Sequence, residues 1–167
     1  MAVRRPAALS ACAFLLIFST QSFAKDEQAD GDAVTCLAQA IYFEARGESE
    51  KGQRAVGRVI LNRAASGVYP ESVCGVVYQG SHRGPACQFS FACDGIPDVT
   101  REKAAWKKAE EIAASLIACD PPCHKSLERE DAVWTSTHYH ADFVSPRWAK
   151  KLKQTGTIGS HIFYASG

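Results

Sequence analysis

Apolar residues between positions 32 and 48 recur at the spacing of an amphipathic helix. At 100° per residue, Leu37, Ile41, Glu44 and Glu48 fall within one narrow arc, which smaller apolar residues widen into a core-facing stripe. The pattern predicts a helix that begins near residue 32 and ends at Gly47. Two carboxylates therefore lie at the edge of a face that is otherwise apolar, which is unusual for a helix with a purely structural role.

Helical spacing returns three times downstream. Residues 51–65 predict a second helix that ends before Gly67, and the first two helices form a hairpin with both carboxylates near its turn. Residues 70–77 predict a short helix opened by its proline. Residues 101–118, capped by Thr100, carry the most continuous apolar stripe of the chain, so we expect this helix to be scaffold.

The final third of the chain has the composition of strands. Residues 132–143 and 157–164 are rich in β-branched and aromatic residues and predict two strands that pair, with a short helix at 146–152 between them. Residues 87–91 alternate polar and apolar side chains, as an arm of a hairpin does. The elements together predict an α+β fold: a small, mainly helical domain with a short antiparallel sheet.

The first residues have the character of an export signal. Two arginines precede an apolar run that ends in a small-x-small cleavage pattern at Ala24. We expect residues 1–24 to be a signal peptide, residues 25–31 a short flexible leader, and residues 32–167 one domain. Lipidation at Cys12 is the alternative, but most of the apolar run follows that cysteine. The predicted location is the periplasm, with the extracellular medium as the alternative.

Charge and cysteine content narrow the class of protein further. Without the two arginines of the signal, 19 − 2 = 17 basic residues face 18 acidic ones, which gives no argument for nucleic acid as a partner. No later segment reaches the roughly 20 apolar residues of a membrane-spanning helix.

The chain after residue 24 keeps six cysteines, an even number that predicts disulfide bracing in an exported domain. Short separations favour Cys87 with Cys93 and Cys119 with Cys123, whereas structural zinc is disfavoured because no CxxC motif is present.

A carboxyl at the edge of a core is a candidate for acid–base chemistry. Partial burial raises the pKa of a carboxyl, so Glu44 can hold a proton near neutral pH and deliver it as a general acid. The structural alternative is that Glu44 caps a helix end or pairs with Arg46, Arg54 or Arg63 at the rim of the core. Helix geometry alone does not decide between the catalytic and the structural role of Glu44.

Several motifs stand in a fixed order along the chain. They are AIYFEARGE at 40–48, GQRAV at 52–56, VILNR at 59–63 and CQFS at 87–90, with THYHA at 137–141 and IGSHIFY at 158–164. Together they resemble the spore-cortex-lytic (SleB) type of bacterial cell wall hydrolase over most of the chain. The resemblance implies a lysozyme-like catalytic fold, a lytic transglycosylase that cuts the glycan strands of peptidoglycan, and Glu44 as its general acid.

The chemistry of such a cleavage is consistent with one acidic residue. The bond between N-acetylmuramic acid and N-acetylglucosamine needs a proton on its leaving oxygen and a nucleophile at an oxocarbenium-like carbon. The 6-hydroxyl of N-acetylmuramic acid can supply that nucleophile and close a 1,6-anhydro ring, so Glu44 acts first as acid and then as base. A hydrolytic muramidase is the alternative, with Glu48 as the second carboxyl one helical turn away; we favour a supporting role for Glu48.

Candidate substrate contacts come from the loop after the third helix and from the first helix. Gln88 and Ser90 are candidates for binding the N-acetyl groups or hydroxyls of the glycan. Phe89 is a candidate for stacking on a sugar, with packing in the core as its alternative. Tyr42 is a further candidate, and the same alternative applies to it.

The histidines raise a different class of chemistry. His138 and His140 share one face of the predicted strand and are candidates for substrate contact or, with His161, for a metal site. A metal-dependent N-acetylmuramoyl-L-alanine amidase is therefore an alternative. Hydrogen bonds to neighbours are the commoner role of strand histidines, and we assign no metal and no cofactor.

A further alternative is a binding module with structural glutamates. In every case the expected partner is peptidoglycan, and we expect a monomer.

Overall fold

The computed structural model describes residues 21–81, 87–119, 122–123, 125–126 and 131–166, with side chains from residue 32 onward. Its α-helices are α1 (Gln21–Ala45), α2 (Glu50–Ala65), α3 (Val73–Val77) and α4 (Lys103–Ile117). Its strands are β1 (His138–Ala141), β2 (Lys153–Ile158) and β3 (His161–Ala165). Within these residues, no helix combines the length and the apolar character needed to cross a bilayer. The mainly helical architecture with a small antiparallel sheet confirms the predicted fold class.

Helix α1 differs from its prediction at both ends. It begins at Gln21, so residues 25–31, which the sequence predicted as a flexible leader, continue the helix; this stretch contains no proline that would interrupt it. It ends at Ala45, and the Glu48 amide donates to the Ala45 carbonyl at 2.9 Å. Glu48 therefore lies in the loop before α2 rather than on α1. The predicted signal at 1–24 lies mainly outside the described residues.

Two other helix starts differ from their predictions. Pro70 does not open α3, because the Ser72 hydroxyl caps the helix and accepts from the Gly75 amide at 3.0 Å. Thr100 does not cap α4, which begins at Lys103 without a side-chain cap. Helix α2 ends before Gly67 as predicted, and that glycine adopts φ +70°.

The core has two parts that meet at the α1–α2 hairpin. The larger part joins α1 to α3 and α4, and Leu37 and Ile41 are fully buried there, as their helical spacing predicted. The smaller part packs α2 on the sheet through Val56, Val59 and Phe163. Burial of each such side chain contributes about 1.5–3 kcal/mol. The sheet is therefore held in place by its packing against α2.

The sheet has three strands in the order β1-β3-β2, all antiparallel. The sequence predicted one final strand over 157–164, but Gly159, with φ +55°, allows a tight turn that divides it into β2 and β3. The pairing of the last strand with β1 is confirmed, with Tyr139 opposite Phe163. Residues 132–135 form a 3-10 helix instead of strand, and Asp131 caps it.

Three disulfides brace the domain. Cys87–Cys93 and Cys119–Cys123 are paired as predicted, and Cys36–Cys74 ties α1 to α3 across a separation of 38 residues. Closing a loop of that length stabilises the fold by about 4 kcal/mol. The predicted strand at 87–91 is wrong. The short loop closed by Cys87–Cys93 contains a 3-10 helix at Ser90–Ala92 instead.

Candidate active site

A cleft of about 520 Å³ opens where the end of α1 faces the sheet. The helix side of this cleft consists of residues 43–48. The sheet side contributes Ala141, Phe143, Ser160 and His161, and Ser90 lines it from the disulfide loop. The cleft thus collects residues from three separated parts of the chain.

A second cavity, of about 300 Å³, lies between α2 and α4. Its charged groups are already paired with one another: Glu50 is 3.0 Å from Arg54 and 3.3 Å from Lys108. Exposed ion pairs of this kind are common on helix surfaces and need no ligand. We therefore place the candidate site in the larger cleft.

Glu44 projects from the last turn of α1 into the cleft. The Tyr139 hydroxyl donates to Glu44 Oε2 at 3.1 Å. Burial raises the pKa of Glu44 above its ordinary value, and the Tyr139 hydrogen bond and the Arg63 charge oppose this rise only in part. Burial likewise raises the pKa of Tyr139 well above 10, so its hydroxyl keeps its proton and acts as a donor. Glu44 is therefore suited to hold a proton at a pH at which an exposed glutamate has lost it.

Arg63, on α2, places a buried positive charge near the Glu44 carboxyl. Its Nε donates to the Thr137 carbonyl at 2.6 Å, and its guanidinium lies 5.3 Å from the centre of the Tyr69 ring and 5.8 Å from that of Phe89. Only 3% of the residue is exposed, and Nη1 has no hydrogen-bond partner in the described part of the chain. The adjacent Asn62 donates to the carbonyls of residues 134 and 136. These bonds fix the start of β1 and hence the position of Tyr139.

Glu48 has a different environment although it lines the same cleft. The hydroxyl of Ser160 donates to Glu48 Oε1, and the Ser160 amide lies 3.4 Å from the same oxygen. His161 Nδ1 is 3.8 Å from it, and the Gln53 side chain donates to the Glu48 carbonyl at 3.0 Å. The carboxylate is therefore bound to the β2–β3 turn.

Gly159 makes that contact possible. Its φ of +55° favours glycine, and a Cβ at this position would lie 1.7 Å from Glu48 Oε2. The absence of a side chain lets the turn approach the carboxylate closely. The loop before α2 and the β2–β3 turn are thus joined by a close polar contact between Glu48 and Ser160.

Two of the predicted substrate contacts are buried and therefore wrong. Phe89 and Tyr42 are each only 3% exposed. The ring of Phe89 lies in the larger core, and the Tyr42 hydroxyl accepts a hydrogen bond from the Glu102 amide at 3.1 Å. Both take the core-packing alternative, because both rings belong to the larger part of the core. Ser90 is exposed and lines the cleft, whereas Gln88 is exposed but is not among the lining residues.

His138 and His140 share one face of β1, as predicted, but it is the face opposite Tyr139 and Glu44. His138 lies within hydrogen-bond distance of the Tyr69 hydroxyl, at 3.2 Å, and His140 of the Tyr164 hydroxyl, at 3.0 Å. Both rings also contact Trp148.

The predicted grouping of these histidines with His161 is wrong. His161 pairs with Ala141 and lies on the Tyr139 side of the sheet, since side chains alternate along a strand. Burial lowers the pKa of His161, and this favours its neutral form. Within the described ranges, no group of three histidine, cysteine or acidic side chains is arranged to hold a metal ion.

Tyr139, the hydrogen-bond partner of Glu44, was not among the residues predicted for the site. The signal was present in the alternation of β1, because a residue between two histidines has to face the other way. Ser160 and Phe143 were also missed, and both lie in turns that the predicted strands obscured.

Comparison with known proteins agrees with the predicted resemblance. Residues 47–164 match the family described as Cell Wall Hydrolase, a match that begins just after Glu44 and includes Glu48. The spore cortex-lytic enzyme of Bacillus subtilis (strain 168) is 32% identical over 130 residues, which are 78% of this chain and 36% of that protein. The spore cortex-lytic enzyme of Halalkalibacterium halodurans is 31% identical over 131 residues, 78% of this chain and 34% of that protein. The chain thus spans about a third of the length of these relatives.

Solved structures extend the likeness to the fold. The catalytic domain of the Bacillus cereus SleB protein superimposes with a TM-score of 0.56 at 29% identity and covers 82% of this chain and 90% of that one. The catalytic domain of the germination-specific lytic transglycosylase SleB from Bacillus anthracis gives the same TM-score and identity, with coverage of 82% and 94%. The resemblance inferred from the ordered motifs is confirmed.

Proposed function

Because this chain belongs to the cell wall hydrolase family, we propose that it is an exported enzyme that degrades peptidoglycan. The reaction we assign to it is lytic transglycosylation of the bond between N-acetylmuramic acid and N-acetylglucosamine. The names of its relatives, a spore cortex-lytic enzyme and a lytic transglycosylase, support this substrate class. The proposed location is the periplasm.

One observation carries the choice of reaction: the two carboxyls that line the cleft in the described part of the chain have unequal environments, because the β2–β3 turn holds Glu48 and does not hold Glu44. Oε1 of Glu48 already accepts from Ser160, whereas Glu44 has one hydrogen bond from Tyr139 and a pKa raised by burial. Transglycosylation requires one acid–base carboxyl, while hydrolytic muramidases use two. The unequal environments therefore support the transglycosylase.

In the first step Glu44 acts as the general acid. Its proton moves to the glycosidic oxygen as the bond from that oxygen to C1 of N-acetylmuramic acid breaks, and positive charge develops at C1. The Tyr139 hydroxyl, at 3.1 Å from Oε2, stabilises the carboxylate that this step leaves behind. The positive charge of buried Arg63 acts in the same direction.

In the second step Glu44 acts as the base. It takes the proton of the 6-hydroxyl of N-acetylmuramic acid as O6 bonds to C1, which closes the 1,6-anhydro ring and returns Glu44 to its acid form. No water is consumed, so the summed mass of the products equals that of the substrate. One carboxyl that first gives and then takes a proton is sufficient for both transfers.

The decisive experiment is mass spectrometry of the soluble fragments that the purified protein releases from peptidoglycan. We expect muropeptides that end in 1,6-anhydro-N-acetylmuramic acid. Fragments with a reducing N-acetylmuramic end, one water heavier, would indicate the muramidase alternative and a catalytic Glu48. Free stem peptides would indicate the amidase, and binding without release would indicate a non-catalytic module; each of these results contradicts the proposal.

A further inference from the structure

Phe143 is the one aromatic side chain among the large apolar residues that are mostly exposed in the described part of the chain. Its exposed fraction is 84%, and it lines the same cleft as Glu44. The other strongly exposed apolar residues, such as Val68 at 83% and Ile96 at 69%, are aliphatic and are not among the lining residues of this cleft. What distinguishes Phe143 is its place: an exposed phenyl ring at the edge of a cleft offers apolar surface that a bound ligand can cover.

The backbone that carries Phe143 is fixed on both sides. The Asp142 amide donates to the Ser160 carbonyl at 2.8 Å, and the Val144 amide donates to the Ala141 carbonyl at 3.1 Å, which closes a tight turn directly after β1. The ring itself contacts no other aromatic ring of the described residues. The turn therefore fixes the backbone position of Phe143 at the edge of the cleft, so a ligand that covers its ring does not have to order this part of the backbone.

We infer that Phe143 forms a sugar-binding subsite, in which its ring stacks on the apolar C–H face of a saccharide ring of the glycan strand. This inference rests on the proposed function, which supplies the glycan as the ligand. A pyranose ring has polar hydroxyls at its edge and an apolar face, so it matches an aromatic ring flanked by polar groups. Ser160 and Ser90, which line the same cleft, provide such polar groups. The stacking that the sequence assigned to Phe89 thus belongs to an exposed phenylalanine on the other side of the cleft.

The test is equilibrium binding to soluble glycan strands from which the stem peptides have been removed. All proteins carry Glu44→Gln so that the strands are not cleaved. We expect Phe143→Ala to weaken binding about tenfold, equivalent to about 1.4 kcal/mol, and Phe143→Trp to bind at least as tightly as the parent. Val68→Ala removes an equally exposed apolar side chain away from the cleft and should leave binding unchanged.

Equal affinity of the parent and Phe143→Ala for bare strands would overturn the inference. A loss seen only with intact peptidoglycan would also overturn it, because the contact would then be with the stem peptide. Kinetics on the active protein provide a second readout: KM should rise with little change in kcat, since stacking binds ground state and transition state alike. If the active protein releases no fragments while Phe143→Ala still weakens binding, the proposed function fails and the subsite stands.

Discussion

Glu44 and Glu48 line one cleft and are four residues apart, yet they differ in burial and in hydrogen-bond partners. Glu44 is in the last turn of α1, where burial raises its pKa and a single phenol donates to it. Glu48 lies after the helix end, where the β2–β3 turn closes on its carboxylate through Ser160 and the space left by Gly159. The same residue type therefore serves as a candidate acid in one position and as a structural link in the other.

The difference shows what determines the role of a carboxyl in a cleft. Desolvation without full pairing makes the charged form costly and keeps the proton available. Hydrogen bonds from an adjacent turn instead occupy one carboxylate oxygen and join two segments. The number and direction of the donors, more than the distance between the carboxyls, separates Glu44 from Glu48.

Glutamine substitutions should show this difference most strongly in activity. We expect Glu44→Gln to lower the rate of fragment release from peptidoglycan by about 10²–10⁴-fold, the usual contribution of a general acid–base residue. Glu48→Gln keeps an acceptor oxygen for Ser160 and should stay within about tenfold of the parent. Thermal unfolding of both variants tests whether the fold is retained. Comparable losses in two folded variants would mean that both carboxyls take part in the chemistry.

Gly159 offers the next largest effect, this time on stability. In Gly159→Ala the new methyl group displaces Glu48 from Ser160 and the residue keeps a left-handed backbone, so we expect a loss of about 2–5 kcal/mol in the free energy of unfolding. Gly67 is the matched control, because it has φ +70° but no neighbouring atom within 4 Å of the place that an added Cβ would occupy. Gly67→Ala should cost only the backbone contribution, about 1–2 kcal/mol.

Urea unfolding measures both costs, and the Glu48→Ala background isolates the contact. Without the carboxylate, Gly159→Ala should cost no more than Gly67→Ala. An unchanged cost in that background would mean that the tight approach of the turn to Glu48 contributes nothing to stability.

The helical half of the site was predictable from the sequence, and the sheet half was not. A period of 3.6 residues determines which face of α1 is buried, so the position of Glu44 at the edge of the core followed from its neighbours alone. Alternation in β1 separates Tyr139 from His138 and His140, but it does not say which of the two faces meets the helix. That choice depends on the packing of Phe163 and Trp134 against α2, which joins residues far apart in sequence.

Contacts made by turns were even harder to predict from the sequence. Ser160 is 112 residues from Glu48, and no local pattern connects them. Exposure of aromatic residues was equally hidden: Phe89 and Phe143 are the same residue type beside polar neighbours, and only the disulfide loop and the turn after β1 decide that the first is buried and the second exposed.

The smallest predicted effect is the stability that Glu44 costs the folded protein. Its pKa is raised on folding, so between the unfolded value near 4.5 and the raised folded value the native state binds more protons than the unfolded state. Stability therefore falls as pH rises through this window and stays lower above it, by about 1.4 kcal/mol for every tenfold weakening of the acid on folding. Glu44→Gln carries no such penalty, because an uncharged amide replaces the carboxyl at nearly the same size.

We expect Glu44→Gln to match the parent in stability at pH 4 and to exceed it at pH 8, measured by urea unfolding at both values. Groups that titrate in both proteins cancel in this difference; of the neighbours of Glu44, Tyr139 has a pKa well above 10 and the Arg63 guanidinium stays charged. Glu110→Gln, on the exposed face of α4, controls for the loss of one charge and should show no such gain. A parent that is the more stable protein at pH 8 would show that the Tyr139 hydrogen bond and the Arg63 charge outweigh burial at Glu44.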